Sequence, residues 1–110
     1  MRGYKNEIGY GITKAAIIQM TKAVANENGY NNVRCNCISP GYVWTETMKK
    51  GMEGTGKSGS GYTMENIPLG TIPRFATPEE MANCICFLLS DEASYVNGSN
   101  FVIDGGKTLG

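Results

Sequence analysis

A chain of 110 residues is one domain or part of one. Hydrophobic residues make up 41% and charged residues 18%, which argues against disorder throughout. Ten Lys+Arg balance ten Asp+Glu, so no net field draws nucleic acid or an anionic membrane. There is no histidine, and any proton chemistry falls to Tyr, Lys, Asp, Glu or Cys. No apolar run approaches the roughly 18 residues of a spanning helix. The opening Met-Arg-Gly-Tyr-Lys-Asn-Glu lacks the apolar stretch of a signal peptide. The expectation is a cytoplasmic protein with neither a membrane nor a nucleic-acid partner.

In chain order, 10–28 reads as a helix, with Ile12, Ala15, Ala16, Met20, Ala23 and Val24 at helical spacing. Many of these apolar residues are small, which predicts close packing against other helices. Gly29 stands at the stop. Residues 33–39, Val-Arg-Cys-Asn-Cys-Ile-Ser, read as a short strand ended by Pro40-Gly41. From 42 to 76 no sustained period is found, and so long a loop is expected to be a lid or binding segment. Thr77-Pro78-Glu79-Glu80 is a strong helix start, with Thr77 as cap and Glu80 completing a capping box. Met81, Ile85, Leu88 and Leu89 form its apolar stripe, and 100–103 reads as a second strand. The order α, β, long loop, α, β predicts an α/β fold with a parallel sheet. Two strands are too few for such a sheet alone, so the chain reads as the C-terminal part of a larger domain.

Three formal motifs are weak on context. Cys35, Cys37, Cys84 and Cys86 form two C-x-C pairs rather than the wider spacing of structural zinc sites. In a helix, Cys84 and Cys86 would lie about 200° apart and could not face one ion. Small buried thiols and no metal are expected. Residues 51–58, Gly-Met-Glu-Gly-Thr-Gly-Lys-Ser, satisfy the phosphate-loop pattern. Within them, Gly54-x-Gly56-x-x-Gly59 satisfies the dinucleotide pattern. Both motifs need a buried strand before and a helix after, and neither is expected here.

The constellation with chemical content is Tyr10-Gly-Ile-Thr-Lys14. Residues i and i+4 are about 400° apart, so both side chains share a helix face. An ammonium beside a phenol favours the phenolate, which makes a proton donor and acceptor without histidine. Alone the pattern is common. Here it is followed by Val33-Arg34-Cys-Asn36-Cys-Ile-Ser-Pro40-Gly41-Tyr-Val43-Trp-Thr45, then Arg74-Phe-Ala-Thr-Pro78-Glu79-Glu80 and Phe87-Leu-Leu-Ser90. Ala93-Ser94-Tyr-Val-Asn-Gly98 and Asp104-Gly105-Gly106 complete the series. In these runs and their order the chain resembles the short-chain dehydrogenase/reductase family, from about Gly9 to Gly106.

The resemblance implies the C-terminal part of a Rossmann-like doubly wound parallel sheet, with residues 1–110 as a single partial domain. It implies a carbonyl/alcohol oxidoreductase using NAD or NADP on a small-molecule substrate, and a homo-oligomer in full-length form. Tyr10 would be the acid/base. Lys14 would hold the nicotinamide ribose and tune Tyr10. Pro40 and Gly41 would turn the chain beneath the nicotinamide, Val43 would offer backbone groups to the carboxamide, and Thr45 would contact the amide or pyrophosphate. Tyr42, Trp44 and Met48 would line the substrate loop. The family's catalytic Ser and Gly-rich phosphate turn lie upstream of the Tyr, beyond Met1, so the N-terminal half of the fold is expected to be missing and the chain alone inactive. A non-catalytic interaction module is the alternative reading, and a phosphate-loop NTPase a more distant one.

Overall fold

The computed structural model describes residues 8–59 and 61–109. Helix α1 spans Ile8–Asn28 and is followed by a 3₁₀ turn over Gly29–Asn31. Strand β1 is Cys37–Pro40, α2 is Glu46–Thr55, α3 is Pro78–Leu89 and β2 is Asn100–Ile103. Short 3₁₀ turns follow α3 at Asp91–Ala93 and β2 at Lys107–Leu109. Strands β1 and β2 pair in parallel, Cys37 opposite Asn100 and Pro40 opposite Ile103. The α/β order and parallel pairing read from the sequence are therefore present.

The first strand is shorter than expected. Residues 33–36 stay outside the ladder because side chains take their place in it. The Cys35 N–H donates to Asn97 Oδ1 at 3.0 Å, the Asn36 amide donates to Val96 O at 2.9 Å, and Ser99 N–H donates to Asn36 Oδ1 at 3.0 Å. Arg34 reaches further. Its guanidinium donates to Leu88 O (2.9 Å), Ser90 O (3.2 Å) and Val96 O (3.3 Å). Leu88 ends α3 together with Leu89, and that last turn carries no basic residue of its own. Arg34 thus supplies both the donors and the positive charge that a helix C-terminus lacks.

Helix α3 begins as its sequence dictates. Thr77 Oγ1 accepts from Glu80 N–H, Glu80 returns a bond to the Thr77 N–H, and Pro78 occupies the first turn. Arg74 adds a two-pronged ion pair to Glu80, at 2.7 and 3.1 Å. With these partners the Glu80 carboxyl is held down at about 2, chiefly by the Arg74 hydrogen bond and then by the Thr77 N–H.

Burial is concentrated in a few side chains: Ala25 from α1, Met52 from α2, Ile67, Met81 and Leu88 from α3, and Ala93. The close helix packing expected of α1 is realised only near its C-terminal end, at Thr21 and Ala25. Ile8, Ile12 and Met20 remain well exposed. The α3 stripe is likewise split, with Met81 and Leu88 buried and Ile85 and Leu89 exposed. None of the four cysteines is buried and Cys86 is exposed, against expectation. Cys35 lies before β1, and Cys84 and Cys86 lie on different sides of α3, the first half-buried and the second exposed. Among the described residues, no group of three or more Cys, Asp or Glu side chains converges as a metal site. No described helix is long and apolar enough to cross a membrane.

Candidate active site

Two groups of predicted residues are each brought together. The first lies on α1. Tyr10 falls in its first turn and Lys14 one turn later, both on the solvent side. The Lys14 ammonium stands 5.3 Å from the centre of the Tyr10 ring. Tyr10 is 62% exposed. A phenol with a cation held beside it, facing open space, can give a proton to an approaching oxygen or take one from it.

The second group lies where β1 ends. Gly41 N–H donates to Ile103 O at 3.0 Å, carrying the parallel pairing one residue past the strand. A Cβ on Gly41 would lie 2.8 Å from Asp104 Cα, so only glycine lets the two strand ends run this close. The chain then forms a parallel bridge between Val43 and Ala76. Trp44 N–H donates to Ala76 O, and Ala76 N–H donates to Tyr42 O, both at 2.9 Å. In a parallel bridge the bonds come from the neighbours, so the N–H of Val43 itself points away from Ala76. Thr45 caps α2 by accepting from Met48 N–H at 3.1 Å. One acceptor position is used this way, and the hydroxyl keeps its proton to donate.

Met48 and Met52 sit in α2 rather than in a loop, and Met52 is buried. The segment 42–76 is therefore not the unbroken loop expected from its glycines. The start signal was present in Thr45 and Glu46, but Gly51 and Gly54 obscured it. The phosphate-loop match has its first five residues inside α2, and Gly56 closes that helix at φ 72°. Ser58 is buried, exchanging bonds with Tyr62 through its N–H and its Oγ. Around 51–58 the order is helix then turn, not strand, loop, helix.

Aromatic side chains close the base of this segment. Phe75 meets Trp44 edge to face at 5.0 Å and Tyr42 at 6.2 Å. The Lys107 ammonium lies 4.5 Å over the Tyr42 ring. Lys107 is placed by the turn after β2, where Asp104 accepts from the N–H groups of Gly106 (2.9 Å) and Thr108 (3.0 Å) and from the Thr108 hydroxyl (2.8 Å). Partial burial pushes the Asp104 carboxyl up. These bonds outweigh it, the Thr108 hydroxyl foremost, and hold the carboxyl below its usual range. Ile72 N–H donates to Gly105 O at 2.9 Å, and Gly70 packs on the Gly105 carbonyl so closely that no side chain fits. Phe75 and Asp104 occur in the quoted motifs without an assigned role, and Lys107 carries no motif at all. Only the fold brings Phe75 and Lys107 to Tyr42, and Asp104 to Gly41.

A family model described as enoyl-(acyl carrier protein) reductase matches residues 1–108. The chain belongs to the short-chain dehydrogenase/reductase family. The 3-oxoacyl-[acyl-carrier-protein] reductase of Chlamydia muridarum is 39% identical over 106 residues, covering 96% of this chain and 40% of that protein. The L-sorbose reductase of Gluconobacter frateurii, solved with NADPH and L-sorbose, superposes with a TM-score of 0.76 at 37% identity, over 92% of this chain and 40% of that one. A 4-hydroxyisoleucine dehydrogenase solved with NADH superposes with a TM-score of 0.70 at 36% identity, over 92% of this chain and 38% of that one. The short-chain dehydrogenase/reductase chain described here thus spans about two fifths of the length of the relatives it matches. The Rossmann-type α/β fold expected from the motifs is the fold of these neighbours.

Proposed function

We propose that these residues are the acid/base and nicotinamide end of an NAD(P)-dependent carbonyl/alcohol oxidoreductase. The observation that carries the reading is the Lys14 ammonium 5.3 Å from the Tyr10 ring on an open face of α1, within a chain of this family. The bound coenzyme supplies the hydride. Tyr10 gives its phenolic proton to the substrate oxygen in reduction, and takes it back in oxidation. Lys14, whose ammonium stands beside the Tyr10 ring, would donate to the nicotinamide ribose. The unpaired direction of the Val43 N–H suits a carboxamide oxygen. The free proton of Thr45 and the N-terminus of the ten-residue α2 suit an amide or a pyrophosphate oxygen. Pro40 and Gly41 hold this turn against β2. Relatives solved with NADH and with NADPH support either coenzyme. Tyr42 and Trp44 stand where the segment carrying Met48 leaves the strand, and that segment is the substrate lid.

The substrate is a small carbonyl or alcohol compound, and the active form is a homo-oligomer of full-length chains in the cytoplasm. The 110-residue chain alone is inactive. The test grafts residues 1–110 in place of the matching segment of the Chlamydia reductase. Tyr10→Phe in that chimera should lower kcat by about 10²–10⁴-fold with the fold intact. Lys14→Ala should lower kcat and weaken coenzyme binding. Near-normal kcat in Tyr10→Phe would refute the assignment.

A further inference from the structure

Two Asn-Gly pairs, Asn28-Gly29 and Asn97-Gly98, meet at the junction between the end of α1 and the start of the ladder. The Asn97 carboxamide stitches that junction. Its Oδ1 accepts from Cys35 N–H at 3.0 Å, and its Nδ2 donates to Ala25 O in the last turns of α1 at 3.3 Å. Gly98 N–H donates to Cys35 O at 2.8 Å. Asn97 is nevertheless exposed at the mouth of a shallow cleft that it lines with Ala25, Asn26, Gly29 and Tyr30, so water reaches it. We propose that Asn97 is a spontaneous deamidation site gated by closure of this junction between Cys35, Asn97 and the end of α1, and that its modification prevents the junction from closing again.

The reaction needs only water. With the junction open, the Gly98 nitrogen loses its proton to solvent base and attacks Asn97 Cγ. The new C–N bond closes a succinimide, the Cγ–Nδ2 bond breaks and ammonia leaves. Water then opens the ring at either carbonyl, leaving an aspartyl or isoaspartyl residue. With the junction closed, Gly98 N–H is held by Cys35 O, and the carboxamide is fixed at both ends and cannot swing to it. Asn28 is guarded differently. Its backbone is helical (φ −116°, ψ −6°) and its Nδ2 donates to Val24 O at 2.9 Å. The product at position 97 keeps an acceptor for Cys35 N–H but replaces the donor that faced Ala25 O with a second acceptor. A carboxylate beside carbonyls at a helix C-terminus is also opposed by the helix dipole. Opening therefore permits the modification, and the modification holds the junction open.

The experiment incubates the full chain in mildly alkaline buffer with and without unfolding urea. Peptide mass spectrometry then follows aspartyl and isoaspartyl products at 28 and 97. Both sites should react at similar rates in urea and slow in buffer. Gly29→Ala places a Cβ 3.1 Å from Asn97 Nδ2 and loosens the bond to Ala25 O. It should speed reaction at 97 in buffer about 2- to 10-fold, the release expected from losing one hydrogen bond. Asn97→Asp should speed amide hydrogen exchange across 25–35. Equal rates at 97 in buffer and urea, or no product at 97 in urea, would overturn the gated site. Unchanged exchange in Asn97→Asp would overturn the one-way step.

Discussion

Replacing Gly41 by alanine tests whether the strand ends are as close as the turn at Gly41 requires. The added Cβ would lie 2.8 Å from Asp104 Cα, 3.0 Å from Asp104 Cβ and 3.1 Å from Asp104 O. Carbon atoms prefer about 3.5–4.0 Å, and two of these three neighbours are backbone atoms that no rotamer change can move. The strands must therefore separate here by the better part of an ångström. The Gly41–Ile103 bond, at 3.0 Å, would then stretch past useful length. Overpacking of this kind costs about 1–3 kcal/mol. The lost bond adds about 1 kcal/mol. The expected loss in the chimera is about 2–4 kcal/mol in urea unfolding, with weaker coenzyme binding because Val43 moves with Gly41. Full stability with unchanged coenzyme affinity would show that the close approach is not there.

Arg34→Ala removes the guanidinium donor from Leu88 O and leaves Ser90 O with only the Ala93 N–H and Val96 O with only the Asn36 amide, and about 1.5–3 kcal/mol of stability should be lost in the same assay. Arg34→Lys should restore only part of it, because one ammonium cannot reach all three carbonyls. Glu80 gives a pH signature. Its folded value of about 2 lies below its ordinary one near 4.5, so the unfolded chain binds more protons between them. Its stabilising effect should be complete above about 4.5 and be lost as pH falls through about 2. Thermal melts of Glu80→Gln should lack this acid slope, and an identical slope in both proteins would refute the assignment.

Much of this fold is local in origin and was legible for that reason. Thr77, Pro78 and Glu80 build the start of α3 from neighbours in sequence, and β2 has the expected bounds. The pairing of Tyr10 with Lys14 follows from one helical turn. Most of the misreadings have long-range causes. β1 loses residues 33–36 to side-chain bonds, of Asn36 to Val96 O and of Asn97 to Cys35 N–H, that join residues about sixty positions apart, which no local pattern records. α2 forms despite two glycines because Thr45 caps it and Met52 is buried. The clustering of Tyr42, Phe75 and Lys107 depends on the parallel pairing of β1 with β2 and on the Asp104 turn.

The bridge between Val43 and Ala76 has a consequence for how such chains diversify. It joins the two ends of the intervening segment independently of what lies between them. The entropy of closing a loop grows only with the logarithm of its length. Residues can be inserted or deleted between α2 and Gly70 at little thermodynamic penalty, provided that the buried Ser58 and Ile67, Trp44, Phe75 and the Gly70–Gly105 contact stay in place. The intervening sequence can then be exchanged as a cassette, while the turn at Gly41 and the helix bearing Tyr10 evolve under a separate constraint.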